Sequence, residues 1–407
     1  MANTILNSSL LTKEAVRQFH NNLGLGAGID TQYKSEFAQS GAKIGSTVNV
    51  RKPVRFTVST GQALDLQNVL EEQVPLTVAY QDHVDFQFSS ADLALDIDMF
   101  SERYISPAMA ALANKFDSRV GELYSKVWNY YGTPGTAPTA ISSYTALRTA
   151  LNLAGAPDEG KRRLVLTSGA HATAVSLMST LFHAGTSIEN QFKKGLVGNN
   201  VLGFNWYEDN NIATHTTGTL GGAPTVNGAG QTGASILTQS WTAAVANRLK
   251  KGDIIQFAGV YSVNPLTFAS TGVLANFVVT ADVASTAGGA ATIPISPSIV
   301  ISGSTQNVTG APADAAAVTT FGHASTYTAK VTPQCLAFHP KAFTAAFVDL
   351  PLPRGADMAS RISDPDLGIS MRLWRQGDIN TDQFPCRIDI LYALDCLRPE
   401  FAARLAV

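Results

Sequence analysis

In the segment DMFSERYISPAMAALANKFDSRVGELYSKVWNYY, residues 98–131, apolar side chains fall at Ile105, Met109, Leu112, Phe116, Val120, Leu123, Val127 and Tyr131. The gaps are threes and fours throughout, the stripe of one helix face. The spacing predicts a helix over 98–131, with roughly 40 Å between Ile105 and Tyr131 at ~1.5 Å per residue. Either Ser106 caps it with Pro107 in the first turn, or Pro107 kinks a longer helix begun near Asp98. Lys115, Asp117, Arg119, Glu122 and Lys126 fall on the opposite face, which is expected in water. Gly132 and Pro134 are expected to end the element.

Before this helix, residues 1–40 read as an arm. Thr12 caps a short helix with Glu14 in its first turn, and Ala15, Phe19 and Leu23 share a face. Such a helix is too short to hold alone and must dock on something. GLGAG follows at 24–28. A phosphate-binding loop needs its glycines between a strand and a helix, and these follow a helix, so the expectation is a hinge. Two extended segments come next, TVNVRKPVRFT (47–57) and VPLTVAYQDHVDFQF (74–88). In the second, Leu76, Val78 and Tyr80 alternate, as do Val84, Phe86 and Phe88. Together they form a long two-stranded excursion. A lone hairpin is marginal in water, so a long one is expected to lie across a partner. Arg51, Lys52 and Arg55 are candidates to meet Glu71 and Glu72 of a neighbouring subunit, against the plainer reading of solvated charges. DLALDI, 92–97, reads as a further short strand.

After Gly132 the pattern turns α/β: a helix over 143–154, a strand over 163–166, a helix capped by Ser168, a short helical stretch over 188–194 and a strand over 201–208. From about 214 to 331 the chain is rich in Gly, Ala, Thr and Ser, with short β runs at 254–260, 277–280, 291–295 and 299–302. This reads as a small barrel or sandwich inserted into an unfinished host domain. Beyond Pro333, CLAFHPKAF opens a strand, and 369–374 pairs with 384–394 around RQGDINTDQ. In that last strand Cys386, Ile388, Ile390, Tyr392 and Leu394 take one face.

Composition changes the picture in one respect. The chain has 407 residues, 45% apolar and only 15% charged, with net charge -2. That length allows two or three domains. The sparse charge points to a surface that largely faces other protein, and the balance gives no overall pull toward nucleic acid. Cys335, Cys386 and Cys396 have no CxxC spacing and read as reduced thiols. No export signal and no apolar run of the ~20 residues a membrane helix needs is expected.

Candidate chemistry is thin. Asp378, Asn380, Asp382 and Asp389 have calcium-loop spacing, but Gln383 stands where the turn needs Gly and Pro385 interrupts. Ser168 and His171 lie close together without GxSxG. The seven histidines are scattered without paired spacing. No catalytic, cofactor or metal residues are expected, and the chain is not read as an enzyme. The competing classes are a cytoplasmic α/β enzyme with a β accessory domain, which needs a polar pocket, and an adhesin, which needs an export signal. The nearest rival is a decoration or tail-tube protein, against which the long helix and split α/β domain argue.

Three stretches carry a resemblance: KKGDIIQFAGVYSVNP (250–265), QGDINTDQFPCRIDILYALDCLRPE (376–400) and KIGSTVNVRKPVRF (43–56). In order and spacing they resemble the major coat proteins of short-tailed double-stranded DNA bacteriophages, the family typified by the Salmonella podovirus coat protein. The specificity lies in their co-occurrence. The resemblance implies an α+β Hong Kong 97-type capsid fold with an inserted β-barrel-like domain. Its parts would be an N-terminal arm (1–46), an extended loop (47–88), a peripheral domain with a spine helix (89–131), an axial domain (132–213 and 332–352), the inserted domain (214–331) and a peripheral β-ribbon with C-terminal segment (353–407). It implies a major capsid protein assembling into hexamers and pentamers of an icosahedral shell. Implied partners are the protein itself, a scaffolding protein, a portal protein at one vertex and packaged double-stranded DNA held without sequence preference, with no membrane. The implied location is the virion capsid, assembled in the host bacterial cytoplasm.

Overall fold

A computed structural model describes residues 8–33, 37, 43–56, 58, 60–62, 64, 66, 71–89, 104–179, 200–321, 329–364, 368–378 and 383–407. In chain order the elements are helix α1 (Ser8–Asn21), strands β1 (Thr47–Arg51) and β2 (Gln73–Ser89), helix α2 (Ser106–Glu122), β3 (Tyr130–Gly132), α3 (Ile141–Leu153), β4 (Arg163–Leu166), α4 (Ser168–Ser179), β5 (Asn205–Glu208) and β6 (Thr214–Thr216). Then follow β7 (Gly222–Val226), β8 (Gly233–Trp241), β9 (Ile254–Phe257), β10 (Tyr261–Val263), β11 (Ser270–Leu274), β12 (Phe277–Val279), β13 (Ala291–Ile299) and β14 (Val318–Thr320). The chain finishes with β15 (Val331–Phe338), β16 (Phe343–Val348), β17 (Met358–Ser363), β18 (Ser370–Arg375), β19 (Gln383–Cys396) and β20 (Ala402–Ala406). The expected strand at 92–97, the helical stretch at 188–194 and the start of the long helix at 98–103 lie outside the described residues.

The long helix is shorter than its stripe. Ile105, Met109, Leu112, Phe116, Val120 and Val127 are all buried. Yet α2 stops at Glu122, and Leu123–Lys126 form a 3-10 turn. Tyr130–Gly132 become a strand parallel to β20. Pro107 stands in the first turn of α2, where its missing N–H costs nothing. Gly132 does not cap the helix. Its φ is +93°, and a Cβ there would lie 2.4 Å from the Ala406 carbonyl oxygen, so only glycine lets β3 approach β20.

The residues divide into two compact units, Met1–Arg51 with Gln73–Val120 and Phe343–Leu397, and Lys52–Glu72 with Gly121–Ala342 and Arg398–Val407. In the first, the sheet runs β1-β2-β19-β18-β17, with β16 also pairing β19. The hairpin of β1 and β2 is in register from Thr47↔Thr77 to Arg51↔Gln73. Beyond it β2 continues along β19, and the register shifts between Tyr392↔Tyr80 and Ala393↔Val78. That shift turns the chain over, as a bulge does. Tyr80 and Tyr392 face the helix, with Phe116 at 5.1 Å and Phe347 at 5.6 Å from the Tyr392 ring. Leu76, Val78, Leu391 and Ala393 pack in the core of the other face. The single-face alternation expected for Leu76, Val78 and Tyr80 is therefore broken, and β19 is buried on both faces from Ile388 to Leu394 rather than on one.

The second unit holds a mixed sheet, β3-β20-β15-β4-β5, with β6 also pairing β15. Strands β4 and β5 are parallel. The segment β7–β14 forms a second sheet, β14-β9-β12-β13-β8-β7. It closes on itself: Val226 N donates to Ala316 O at 2.9 Å and Ala315 N donates to Val226 O at 3.0 Å. Trp241, Ile236, Phe257, Phe277, Ile293 and Ile295 fill the resulting barrel. The strand at 214–216 belongs to the host sheet rather than to the insertion, because it pairs with 331–333. The expected second host segment, 332–352, divides: β15 stays with the mixed sheet, while Phe343–Val348 pairs with Leu391–Cys396 in the other unit. The C-terminal tail likewise leaves the ribbon and becomes β20, flanked by β3 and β15.

Candidate assembly interface

The hairpin of β1 and β2 ends in a loop whose apolar side chains meet solvent. Phe56 is 63%, Val58 96%, Leu64 83% and Leu66 84% exposed. Among the charged candidates on this element, Lys52 and Glu72 meet within one chain. Lys52 N donates to Glu72 O at 2.8 Å, and Lys52 Nζ lies 3.4 Å from Glu72 Oε2. Arg51, Arg55 and Glu71 are exposed on the same hairpin.

Two buried carboxylates hold the first unit together, and one of them was expected in solvent. Asp117 is 1% exposed. Its Oδ2 accepts Gly24 N and its Oδ1 accepts Gly26 N, both at 2.7 Å. The glycine loop is thus no hinge: its amides do grip an anion, a carboxylate of the chain itself. Helix α1 begins at Ser8, so Thr12 is an interior, fully buried position rather than a cap. A Cβ at Gly26 would come within 2.6 Å of Phe116 Cε1 and 2.8 Å of Asp117 Oδ1. Gly26→Ala is expected to cost about 2–3 kcal/mol through displacement of helix α2. A chemical-denaturation midpoint unchanged from wild type would contradict this.

The second carboxylate is Asp389, fully buried on β19. Arg372 grips it with Nε at 3.0 Å and Nη2 at 2.5 Å, and Arg387 Nε adds a contact at 3.1 Å. Nearby, Asp82 accepts Arg119 Nη2 at 2.7 Å and the Tyr392 hydroxyl at 2.6 Å, and the Arg119 guanidinium lies 4.2 Å from the Tyr80 ring centroid. Arg119, like Asp117, leaves the solvated face expected of it.

In the second unit a polar cluster joins barrel and host sheet. The Tyr124 hydroxyl lies 3.0 Å from His215 Nδ1, and His215 Nε2 lies 2.7 Å from Asp253 Oδ1. A carboxylate only accepts, so Nε2 carries a proton, and in the neutral imidazole Nδ1 accepts from Tyr124. Asp253 Oδ2 also accepts Lys250 N at 2.8 Å and Gly218 N at 3.1 Å. Beside it Arg404, fully buried on β20, donates from Nη2 to Gly252 O at 2.5 Å and stacks over Tyr124 and Tyr130. Burial works against its charge, and the two tyrosines and Asp253 oppose that effect.

The histidine and serine singled out in the sequence are bridged by a carboxylate. Ser168 Oγ donates to Glu208 Oε1 at 2.5 Å, and His171 Nδ1 reaches Glu208 Oε2 at 3.5 Å. The carboxylate sits between the two groups, so the His171 imidazole is not the group that accepts the Ser168 proton. Thr167, not Ser168, faces the first turn, with Oγ1 3.4 Å from Ala170 N. His171 and His339 are both buried, and burial pushes both imidazoles below their ordinary value. The folded state therefore favours their neutral forms. Their contribution to stability is whole above the free-imidazole value of ~6.5 and is lost as pH falls below it. The denaturation midpoint is expected to fall between about pH 7.5 and about pH 5.5 and to fall less in a His171→Gln/His339→Gln variant. Equal slopes in the two proteins would contradict this.

Among the described residues no group of three or more His, Cys, Asp or Glu is placed to hold a metal. Of the calcium-loop set, Asn380 and Asp382 lie outside the described residues, and Asp378 N donates to Gln383 O at 2.8 Å. No helix of the described residues is long and apolar enough to cross a membrane.

The family model for the P22 coat protein, gene protein 5, matches residues 1–404. Comparison with curated proteins gives no match. Among solved structures, one of Mycobacterium phage Che8 is similar at 13% identity and TM-score 0.48, over 94% of this chain and 90% of that one. The capsid of cyanophage P-SCSP1u is similar at 13% identity and TM-score 0.42, over 89% and 83%. The CUS-3 coat protein I-domain aligns at 27% identity and TM-score 0.19, over 25% of this chain and 96% of that one.

Proposed function

The chain belongs to the P22 coat protein family, and from that membership we propose how its parts build a capsid. It is a major capsid protein whose copies form an icosahedral shell, with the Hong Kong 97-type fold and an inserted β-barrel. The observation that carries the reading is the extent of the family match, 1–404, which takes in the barrel and both halves of its host. The role is structural, and the protein's place is the virion capsid.

We infer the following assignments. The first residues, to about 46, act as the arm. The hairpin over 47–88 is the extended loop, and its exposed apolar tip covers a neighbouring subunit. Helix α2 is the spine of the peripheral domain. The mixed sheet of β3, β20, β15, β4 and β5 is the axial domain, interrupted by the barrel. Copies meet as hexamers and pentamers. A scaffolding protein guides assembly in the bacterial cytoplasm, a portal protein occupies one vertex, and double-stranded DNA fills the shell. A net charge of -2 suits a wall that meets DNA without gripping it. Arg51, Lys52 and Arg55 pair with Glu71 and Glu72 of a neighbour. Each such exposed pair is worth no more than about 1 kcal/mol, and the contact gains weight by repetition around the shell.

Sedimentation of the purified protein, expressed with and without a scaffolding protein, tests the reading. Fast-sedimenting particles are expected, weakened by Glu71→Lys/Glu72→Lys. A chain that stays monomeric under both conditions would overturn it.

A further inference from the structure

The sequence contains one Asn–Gly step, Asn227–Gly228, in the turn that leaves β7. This pair carries a chemistry of its own. The glycine nitrogen can attack the asparagine side-chain carbonyl carbon, because a glycine has no Cβ to hinder the approach. The N–Cγ bond forms, the Cγ–Nδ2 bond breaks, and ammonia leaves with the proton that the glycine amide gives up. Water then opens the five-membered imide to aspartate or to isoaspartate. Asn227 and Gly228 are both exposed, and a Cβ at Gly228 would meet no atom within 4 Å, so water and hydroxide reach the pair.

The fold nevertheless engages the attacking nitrogen. Gly228 N donates to Asp314 Oδ1 at 2.8 Å. Backbone bonds on either side place this carboxylate: Gly230 N donates to Pro312 O at 3.1 Å, and Val226 closes the barrel against 315–316. Directly after Asp314, Ala315 takes φ +59°, a left-handed conformation disfavoured for a residue with a Cβ. The neighbouring Asn227 N is held by Leu237 O at 2.9 Å. A carboxylate is far too weak a base to take an amide proton, so hydroxide must do it. Asp314 opposes that step twice. Its hydrogen bond stabilises the N–H, and its charge repels both hydroxide and the anion that would form.

We propose that Asn227 is a self-modification site that deamidates through Gly228, and that Asp314 is its guard, restraining the reaction while the barrel is closed. Conversion places a carboxylate next to Asp314 and within residues 210–247, which otherwise contain no Asp, Glu, Lys or Arg. In its isoaspartate form it also lengthens the backbone by one methylene beside Val226, the residue through which the barrel closes. Parting 226 from 315–316 withdraws the guard, and the product then resists reclosure. The reaction therefore leaves a chemical record of barrel opening.

The test is peptide mapping by mass spectrometry of the full chain after incubation in warm, mildly alkaline buffer, folded or in urea. Conversion at Asn227 should be at least about tenfold faster in urea, the scale of one charge-assisted hydrogen bond. Asp314→Ala should raise the rate in the folded chain about tenfold, and Asp314→Asn, which keeps the shape and an acceptor, should raise it less. Hydrogen exchange at the Gly228 amide should rise in step, since the same proton is lost to the same base. The Asn227 amide should keep its protection, which shows that the turn is still closed. Equal rates in the folded and the unfolded wild type overturn the proposal, as does an alanine variant that converts at the wild-type rate. A slower alanine variant would make Asp314 the base and overturn its role as guard. Absence of conversion even in urea overturns the site. None of these outcomes depends on particle assembly.

Discussion

Asp389→Ala is expected to destabilise the first unit by about 3–5 kcal/mol, the scale of removing one side of a buried ion pair. The change strands the guanidinium of Arg372, whose side chain is 13% exposed and whose fork is aimed at the carboxylate. Arg387, 31% exposed, can turn toward water and loses less. Asp389→Asn keeps the shape and one acceptor and should recover part of the loss. Hydrogen exchange at the amides of β2, β18 and β19 is the direct readout, because all three strands pair around this site. Wild-type protection in the alanine variant would show that the pair contributes nothing.

Asp253→Ala is expected to cost a similar amount, about 3–5 kcal/mol, by a different route. Here the carboxylate serves donors, the amides of Lys250 and Gly218 and the His215 imidazole. All three become unsatisfied where water does not reach. Asp253→Asn should be nearly as harmful, since its NH2 group would oppose a donor. The barrel core of Trp241, Phe257 and Phe277 does not depend on this side chain. Exchange is therefore expected to rise first where the barrel joins the host, at β6 and at the 248–253 turn, and only later inside the barrel. Uniform loss of protection across the barrel would mean that the junction is part of its folding core instead.

Periodicity made the buried face of α2 legible, because that stripe is local. Its end was not, because Val127 and Tyr131 continue the three–four spacing by coincidence while Tyr130–Gly132 are claimed by β20, far along the chain. The same reason hid Asp117. At a helix flank it looks like any solvated charge, and its partners are backbone amides of Gly24 and Gly26, which leave no side-chain signal. The strands of the 370–396 ribbon and the hairpin at 47–88 were readable from alternation. The turn-over at Tyr80 was not, since a bulge costs one residue and leaves the pattern intact. The barrel strands are short and built from Ala, Thr, Ser and Gly, so the segment was identifiable as β-rich while its closure through Val226 was not.

One signal stood in plain view. In FAARLAV, Arg404 is the lone charge of an apolar run. A charge in a buried strand must find partners, and here they are the Gly252 carbonyl and the rings of Tyr124 and Tyr130. His215 has a structural task that its sequence neighbours do not signal, because only the fold brings it to Asp253. The charged residues of the extended hairpin were proposed for contacts between subunits, and within one chain Lys52 and Glu72 already meet.

Electron cryo-microscopy of particles formed by the purified protein tests the central claim most directly. The account predicts closed icosahedral shells in which the hairpin of β1 and β2 extends from its own subunit and lays Phe56, Val58, Leu64 and Leu66 against a neighbour. Open sheets or tubes without icosahedral order, or shells in which that hairpin folds back onto its own chain, would contradict it.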